Sequence, residues 1–148
     1  MLCKALKEKY KIDEECVDHK LSAEEKGRKF SIQLPKKSKE KFCRIKVDDC
    51  FVNDKSVEKC DYAFHRCSND EQYYVELKGQ KIKKAFDQIA KTISGHLKSP
   101  KEKNYGFIVA SKVKAPKRNL IVNKMKEEFK KKYGVKLEIG TTHYVHQL

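Results

Sequence analysis

The stretch CDYAFHRCSNDEQYYVELKG, residues 60–79, decides the fold. Cys60 to Cys67 reads as a strand closed by Ser68, Asn69 and Asp70, which are turn formers. Gln72 to Lys78 reads as the next strand, ended by Gly79. The connection is too short for anything but neighbouring antiparallel strands. Alternate side chains of a strand share a face. Tyr74, Glu76 and Lys78 therefore point one way, and Tyr73, Val75 and Leu77 the other. A carboxylate and an ammonium on one face of a central strand need a partner or a metal. Asp61, on the face opposite to Cys60, Tyr62 and Phe64, offers one. Acids on adjacent strands can converge on a hard divalent cation, and carboxylate oxygens suit Mg²⁺ or Mn²⁺.

Working outward, Phe42 to Val52 is rich in β-formers and ends at Asn53-Asp54, which completes a meander. Downstream, Ile82, Phe86, Ile89, Ile93 and Leu97 form one stripe at helical period, stopped by Ser99-Pro100. Tyr105 to Ser111 is an apolar run of the kind buried on both faces. Pro116 precedes a second helix, Asn119 to Tyr133, with Asn119 as N-cap and Gly134 just past its end. Lys136 to Gly140 is a last strand. Upstream, Leu2, Leu6 and Tyr10 suggest a short helix, and the charged residues 18–41 read as a loop or mobile basic segment. The expectation is one domain over 1–148, with a basic, partly helical extension at 1–41 and a core at 42–140. Its class is α/β, an αβββαβ-type sandwich with a central mixed sheet flanked by helices.

Asp61, Glu76 and Lys78 on successive strands, then a helix, resemble the PD-(D/E)XK nuclease superfamily, whose fold is restriction-endonuclease-like and shared by Holliday junction resolvase-like enzymes. The resemblance runs from about Phe42 to Gly140. It implies that Asp61, Glu76 and the backbone carbonyl of Leu77 hold the metal and that Lys78 orients the attacking water. It also implies a helix Gln or Lys near the metal; Gln88 and Lys81 occupy that helix edge, with Lys84 as a further phosphate contact. Cys60 stands where the family's name has proline. A further glutamate often comes from the first helix of such enzymes; Glu8, Glu14, Glu15, Glu24, Glu25 and Glu40 all precede the sheet, and nothing in the sequence selects among them.

The charge balance agrees with a phosphate partner. Lys and Arg number 35 against 21 Asp and Glu, a net charge of +14. Cations placed on phosphates release condensed counterions, which favours binding. Lys36, Lys37 and Lys39 are candidates for such contacts. The expected activity is Mg²⁺- or Mn²⁺-dependent phosphodiester hydrolysis, by an endonuclease or junction-resolving enzyme, on DNA in preference to RNA. A homodimer or a partner would add the recognition that one bare core lacks. The alternative is a catalytically degenerate nucleic-acid-binding module, or a protein-interaction domain of the same fold.

Six cysteines, Cys3, Cys16, Cys43, Cys50, Cys60 and Cys67, show no Cys-x-x-Cys pair and no zinc-finger spacing. Without an apolar leader or membrane span, the expected location is the cytoplasm (or the nucleus or host cytosol of a virus), with free thiols and no zinc. His65 shares the Asp61 face, where a structural hydrogen bond is the simpler reading; His143 and His146 read as a frayed tail.

Overall fold

Every residue of the strand over 72–76 is buried, so layers must cover both its faces. The computed structural model describes residues 2–52, 54, 56, 59–77, 82–95, 97, 103–110 and 116–148. The elements run α1 (Leu2–Tyr10), a 3-10 turn (Glu14–Cys16), β1 (Val17–Asp18), β2 (Ser22–Glu25), β3 (Arg28–Gln33), β4 (Phe42–Lys46), β5 (Tyr62–Arg66) and β6 (Gln72–Glu76). They continue as α2 (Ile82–Gly95), β7 (Asn104–Ala110), α3 (Pro116–Tyr133), β8 (Val135–Thr141) and β9 (His143–Gln147).

One mixed sheet has the order β1-β4-β5-β6-β7-β8. The meander β4, β5 and β6 is antiparallel, and β6, β7 and β8 are parallel. Parallel neighbours need crossovers, and α2 and α3 supply them. Both steps run in one direction along the sheet, so a common handedness puts both helices on one face. There Phe86, Ile89 and Ile93 of α2, Phe129 of α3, and Cys3 and Leu6 of α1 pack on Cys43, Ile45, Ala63, Tyr74, Ile108 and Val135. At Gly106 of β7 an added Cβ would fall on the Leu137 and Val135 side chains of β8, so the strand needs glycine at that position.

The opposite face is covered by a second sheet, order β2-β3-β9. Ala23, Phe30 and Ile32 pack there on Phe64, Tyr73, Val75, Leu77, Phe107 and Val109, with Tyr144 at the margin. The α/β class and the central mixed sheet hold, but among the described residues helices flank it on one side only. Residues 18–41, read as loop from their charge, supply β2 and β3. The tail with His143 and His146 is not frayed, because β9 pairs in parallel with β3.

Other expectations shift in detail. The first core strand stops at Lys46 rather than Val52. Asp49 adopts a left-handed φ of 61°, and Phe51 N–H bonds back to the Lys46 carbonyl at 3.1 Å. Helix α3 begins at Pro116, so Asn119 lies inside it and is no N-cap. Gly134, with φ 64°, ends it as read. Asn53, Ser99-Pro100 and Ser111 lie outside the described residues. Among the described residues no helix is long and apolar enough to cross a membrane.

The cysteines are not all free. Cys3 is bonded to Cys43 and Cys16 to Cys50, while Cys60 and Cys67 are thiols. The bonded residues lie 40 and 34 positions apart. Packing of α1 and the following turn against β4 brings them together, which spacing alone cannot reveal.

Candidate functional site

The start of β5 adjoins the end of β6, because the two strands are antiparallel. Their register pairs Tyr62 with Val75 and Ala63 with Tyr74; one further step would set Asp61 across from Glu76. Both side chains then fall on the helix-covered face, the side of Ala63 and Tyr74. Asp61 is 2% exposed and Glu76 0%. Burial raises the Cys60 thiol, and the charges of Glu76 and Asp61 push it further the same way, so both carboxylates reach that neighbour. The register therefore sets the two acids that strand parity selects on one face, at adjoining strand ends.

The backbone of Leu77 is the third part. Its N–H donates to Asp61 Oδ2 at 2.7 Å in a buried setting. Its carbonyl accepts from Arg28 Nη1 at 3.0 Å. Arg28 opens β3, just past the turn in which Lys26 and Gly27 take positive φ. The hairpin β2-β3 thus lays a guanidinium on the carbonyl that the nuclease resemblance assigns to a metal. Glu25 is paired with Arg28 across the hairpin. Burial raises the Tyr62 hydroxyl, Arg44 opposes this, and the charges of Glu25 and Asp61 add to the rise. Glu25 is therefore an upstream glutamate near Tyr62, whose side chain lies on the face opposite to the acid pair. Glu40 is held instead by Arg66 at 3.0 Å, and Glu14 lies 3.3 Å from Lys7.

Helix α2 braces the segment before Asp61. Gln88 Nε2 donates to the Lys59 carbonyl at 3.2 Å. Cys60 N–H donates to Thr92 Oγ1, whose hydroxyl donates to the Gln88 carbonyl, both at 2.8 Å. Gln88 thus reaches the segment that leads into Asp61, where its amide holds the chain. Lys59, 7% exposed, donates to the Asp54 carbonyl at 2.8 Å and lies 3.7 Å from Asp48 Oδ1. It is a buried cation two residues from Asp61 that the sequence reading did not single out.

The remaining expected residues divide. Lys78, Gly79 and Lys81 lie outside the described residues. Lys84 is exposed on α2. Lys36, Lys37 and Lys39 are exposed on the loop before β4, and Cys67 N–H bonds to Lys41 of that loop. They therefore stand at the far end of β5, about 20 Å from Asp61 at 3.3 Å per residue. An open cleft of about 450 Å³ there is lined by Ser38, Lys39, Glu40, Lys41, Cys67 and Ser68. His65 sits toward that end too, with Nε2 3.0 Å from Asp70 Oδ1. Burial holds it below its ordinary value of 6.5, against the pull of Asp70.

Two carboxylates and a main-chain carbonyl form a set of hard oxygen donors, which fits Mg²⁺ or Mn²⁺ better than a soft metal. Comparison with known proteins finds no matching family model, no matching curated protein and no matching solved structure.

Proposed function

We propose that this chain is a Mg²⁺- or Mn²⁺-dependent phosphodiester hydrolase acting on nucleic acid, with DNA preferred. The observation that carries the reading is the burial of both Asp61 and Glu76 at adjoining ends of β5 and β6. Two carboxylates on one face place hard oxygen donors where a divalent cation could be held. Asp61, Glu76 and the Leu77 carbonyl would hold it; when bound, it supplies charge for the phosphodiester oxygens and a more acidic water. Asp61 also fixes Leu77 through its N–H, which orients the neighbouring carbonyl. Gln88 and Thr92 hold the approach to Asp61 in place. Lys78 is the residue that the family resemblance gives to the attacking water. The net charge of +14 supplies the attraction for phosphate. A homodimer or partner would extend so small a recognition surface. A cytoplasmic location is part of the same reading, although the two disulfides point to an oxidising compartment or moment.

One observation favours the second reading, a nucleic-acid-binding module without chemistry. The Leu77 carbonyl already accepts from Arg28, and Asp61 already accepts from Leu77, so the acid end of β6 has internal partners. The test is cleavage of linear, supercoiled, single-stranded and branched DNA, and of RNA, in Mg²⁺ or Mn²⁺. Cutting that disappears in Glu76→Gln while binding persists supports the hydrolase. Binding without cutting on every substrate would leave the module.

A further inference from the structure

At the end of the sheet remote from the acid pair, three cysteines and a histidine from four separate segments meet. Cys3 comes from α1, His19 follows β1, Cys43 lies on β4 and Cys67 follows β5. Their three sulfurs lie within 4.8 Å of one another. Cys43 Sγ and Cys67 Sγ are 3.6 Å apart, and Cys3 Sγ is 3.7 Å from His19 Nδ1 and 3.8 Å from Nε2. A tetrahedral zinc with Zn–S near 2.3 Å and Zn–N near 2.0 Å sets sulfur–sulfur edges of about 3.8 Å and sulfur–nitrogen edges of about 3.6 Å. The Cys43–Cys67 and Cys3–His19 separations are of that size, and the bonded Cys3–Cys43 pair reaches it only once the disulfide is opened.

A second contact bears on the tautomer of the histidine. His19 Nδ1 lies 3.2 Å from the Phe42 carbonyl. A carbonyl only accepts, so Nδ1 carries the proton and the lone pair is on Nε2. Zinc-binding histidines are characteristically oriented by such a bond from the other ring nitrogen.

We propose that Cys3, Cys43, Cys67 and His19 are a structural zinc site, filled in the reduced protein and closed by the Cys3–Cys43 disulfide in the oxidised one. Opening requires a dithiol reductant. Its two thiols become a disulfide, and the two electrons and two protons convert the Cys3–Cys43 bond to two thiols. Zinc then binds three thiolates and one neutral imidazole and releases three protons. The site clamps α1 and the segment after β1 to the β4-β5 edge, the same connection that the disulfide makes. Cys67 meets solvent through the cleft beside Lys39 and Lys41, which gives the ion a path. The argument is independent of the acid pair, whose hard oxygen ligands select a different metal.

The test uses the full chain, reduced with a dithiol, freed of reductant without oxygen, and titrated with Co²⁺ as a probe. The expected result is one cobalt per chain with tetrahedral visible bands and thiolate charge-transfer absorption, both removed by one equivalent of Zn²⁺. Thiolate absorption separates this site from any cobalt held by carboxylates. Cys67→Ser and His19→Ala should each weaken binding at least about tenfold. Replacing Cys16 and Cys50 together by serine should leave the spectrum intact. In the parent chain, where no variant has to fold, zinc should slow alkylation of Cys67 and not that of Cys50. A reduced parent that binds no stoichiometric cobalt, a Cys67→Ser chain with the parent spectrum, or alkylation of Cys67 unaffected by zinc would overturn the proposal. Unchanged affinity in His19→Ala would overturn the place of His19 in it.

Discussion

Asp61 holds the Leu77 N–H at 2.7 Å where water does not reach, so its part in the fold can be separated from any part in chemistry. Charge counting in the sequence suggests that removing an acid from a metal-free cluster relieves repulsion. The hydrogen bond reverses that sign for Asp61. Asp61→Ala leaves a buried N–H without its acceptor and is expected to destabilise by about 1–3 kcal/mol. Asp61→Asn keeps an acceptor oxygen and should lose less. Urea unfolding of the two variants beside the parent is the check; equal midpoints for Asp61→Ala and the parent would show that the bond contributes nothing. The antiparallel neighbourhood of β5 and β6 was legible because a short turn leaves few geometries open. Arg28 was not legible. It reaches Leu77 across 49 positions of sequence, from a segment whose charge reads as loop.

Elements were legible where burial imposes a period. Strand β7 is buried on both faces and reads as an apolar run, and Phe86, Ile89 and Ile93 of α2 read as a stripe and pack as one. Strand β2 failed as a reading because Ala23 is its one buried residue, which leaves no alternation to detect. Strand β3 does alternate, with Phe30 and Ile32 inward, but Arg28 and Lys29 mask the start. Strand β9 is recognisable only once β3 is present to pair with it. The small sheet nonetheless has a defined anchor. Phe30 is 0% exposed, and its ring centroid lies 4.7 Å from Phe107, 5.4 Å from Phe64 and 6.1 Å from Tyr144. Phe30→Ala removes a fully buried aromatic ring from between the two sheets and is expected to cost about 3–5 kcal/mol. The loss should be local first: amide exchange in β2, β3 and β9 should rise before that in β6 and β7. Uniform acceleration in both sheets would mean that the small sheet has no separate stability.

Over the whole molecule, charge governs both pH response and partner. His65 and His146 are held below 6.5 chiefly by burial. The unfolded chain therefore binds protons near pH 6.5 that the folded chain refuses, and stability falls as pH drops through that region. A second loss follows below about pH 4.5, where Glu40, held low by its bond to Arg66, takes up its proton. Unfolding midpoints at pH 7 and pH 5.5 should differ, and the difference should shrink in a His65→Gln, His146→Gln double variant. The partner is tested by salt. With a net charge of +14, each phosphate contact on duplex DNA should contribute about −0.9 to the slope of log affinity against log salt. The exposed Lys36, Lys37 and Lys39 stand at the opposite end of β5 from Asp61. That separation, about 20 Å, corresponds to about six base steps at 3.4 Å along one strand. A duplex engaged at the acid pair can therefore reach those lysines only if it extends that far beyond the site. Lys36→Gln, Lys37→Gln and Lys39→Gln together should flatten the slope by up to about 2.7 on long duplexes and by little on duplexes too short to span the gap. A triple variant with the parent slope at every length would remove that loop from the interface, and a parent slope near zero would remove nucleic acid as the partner.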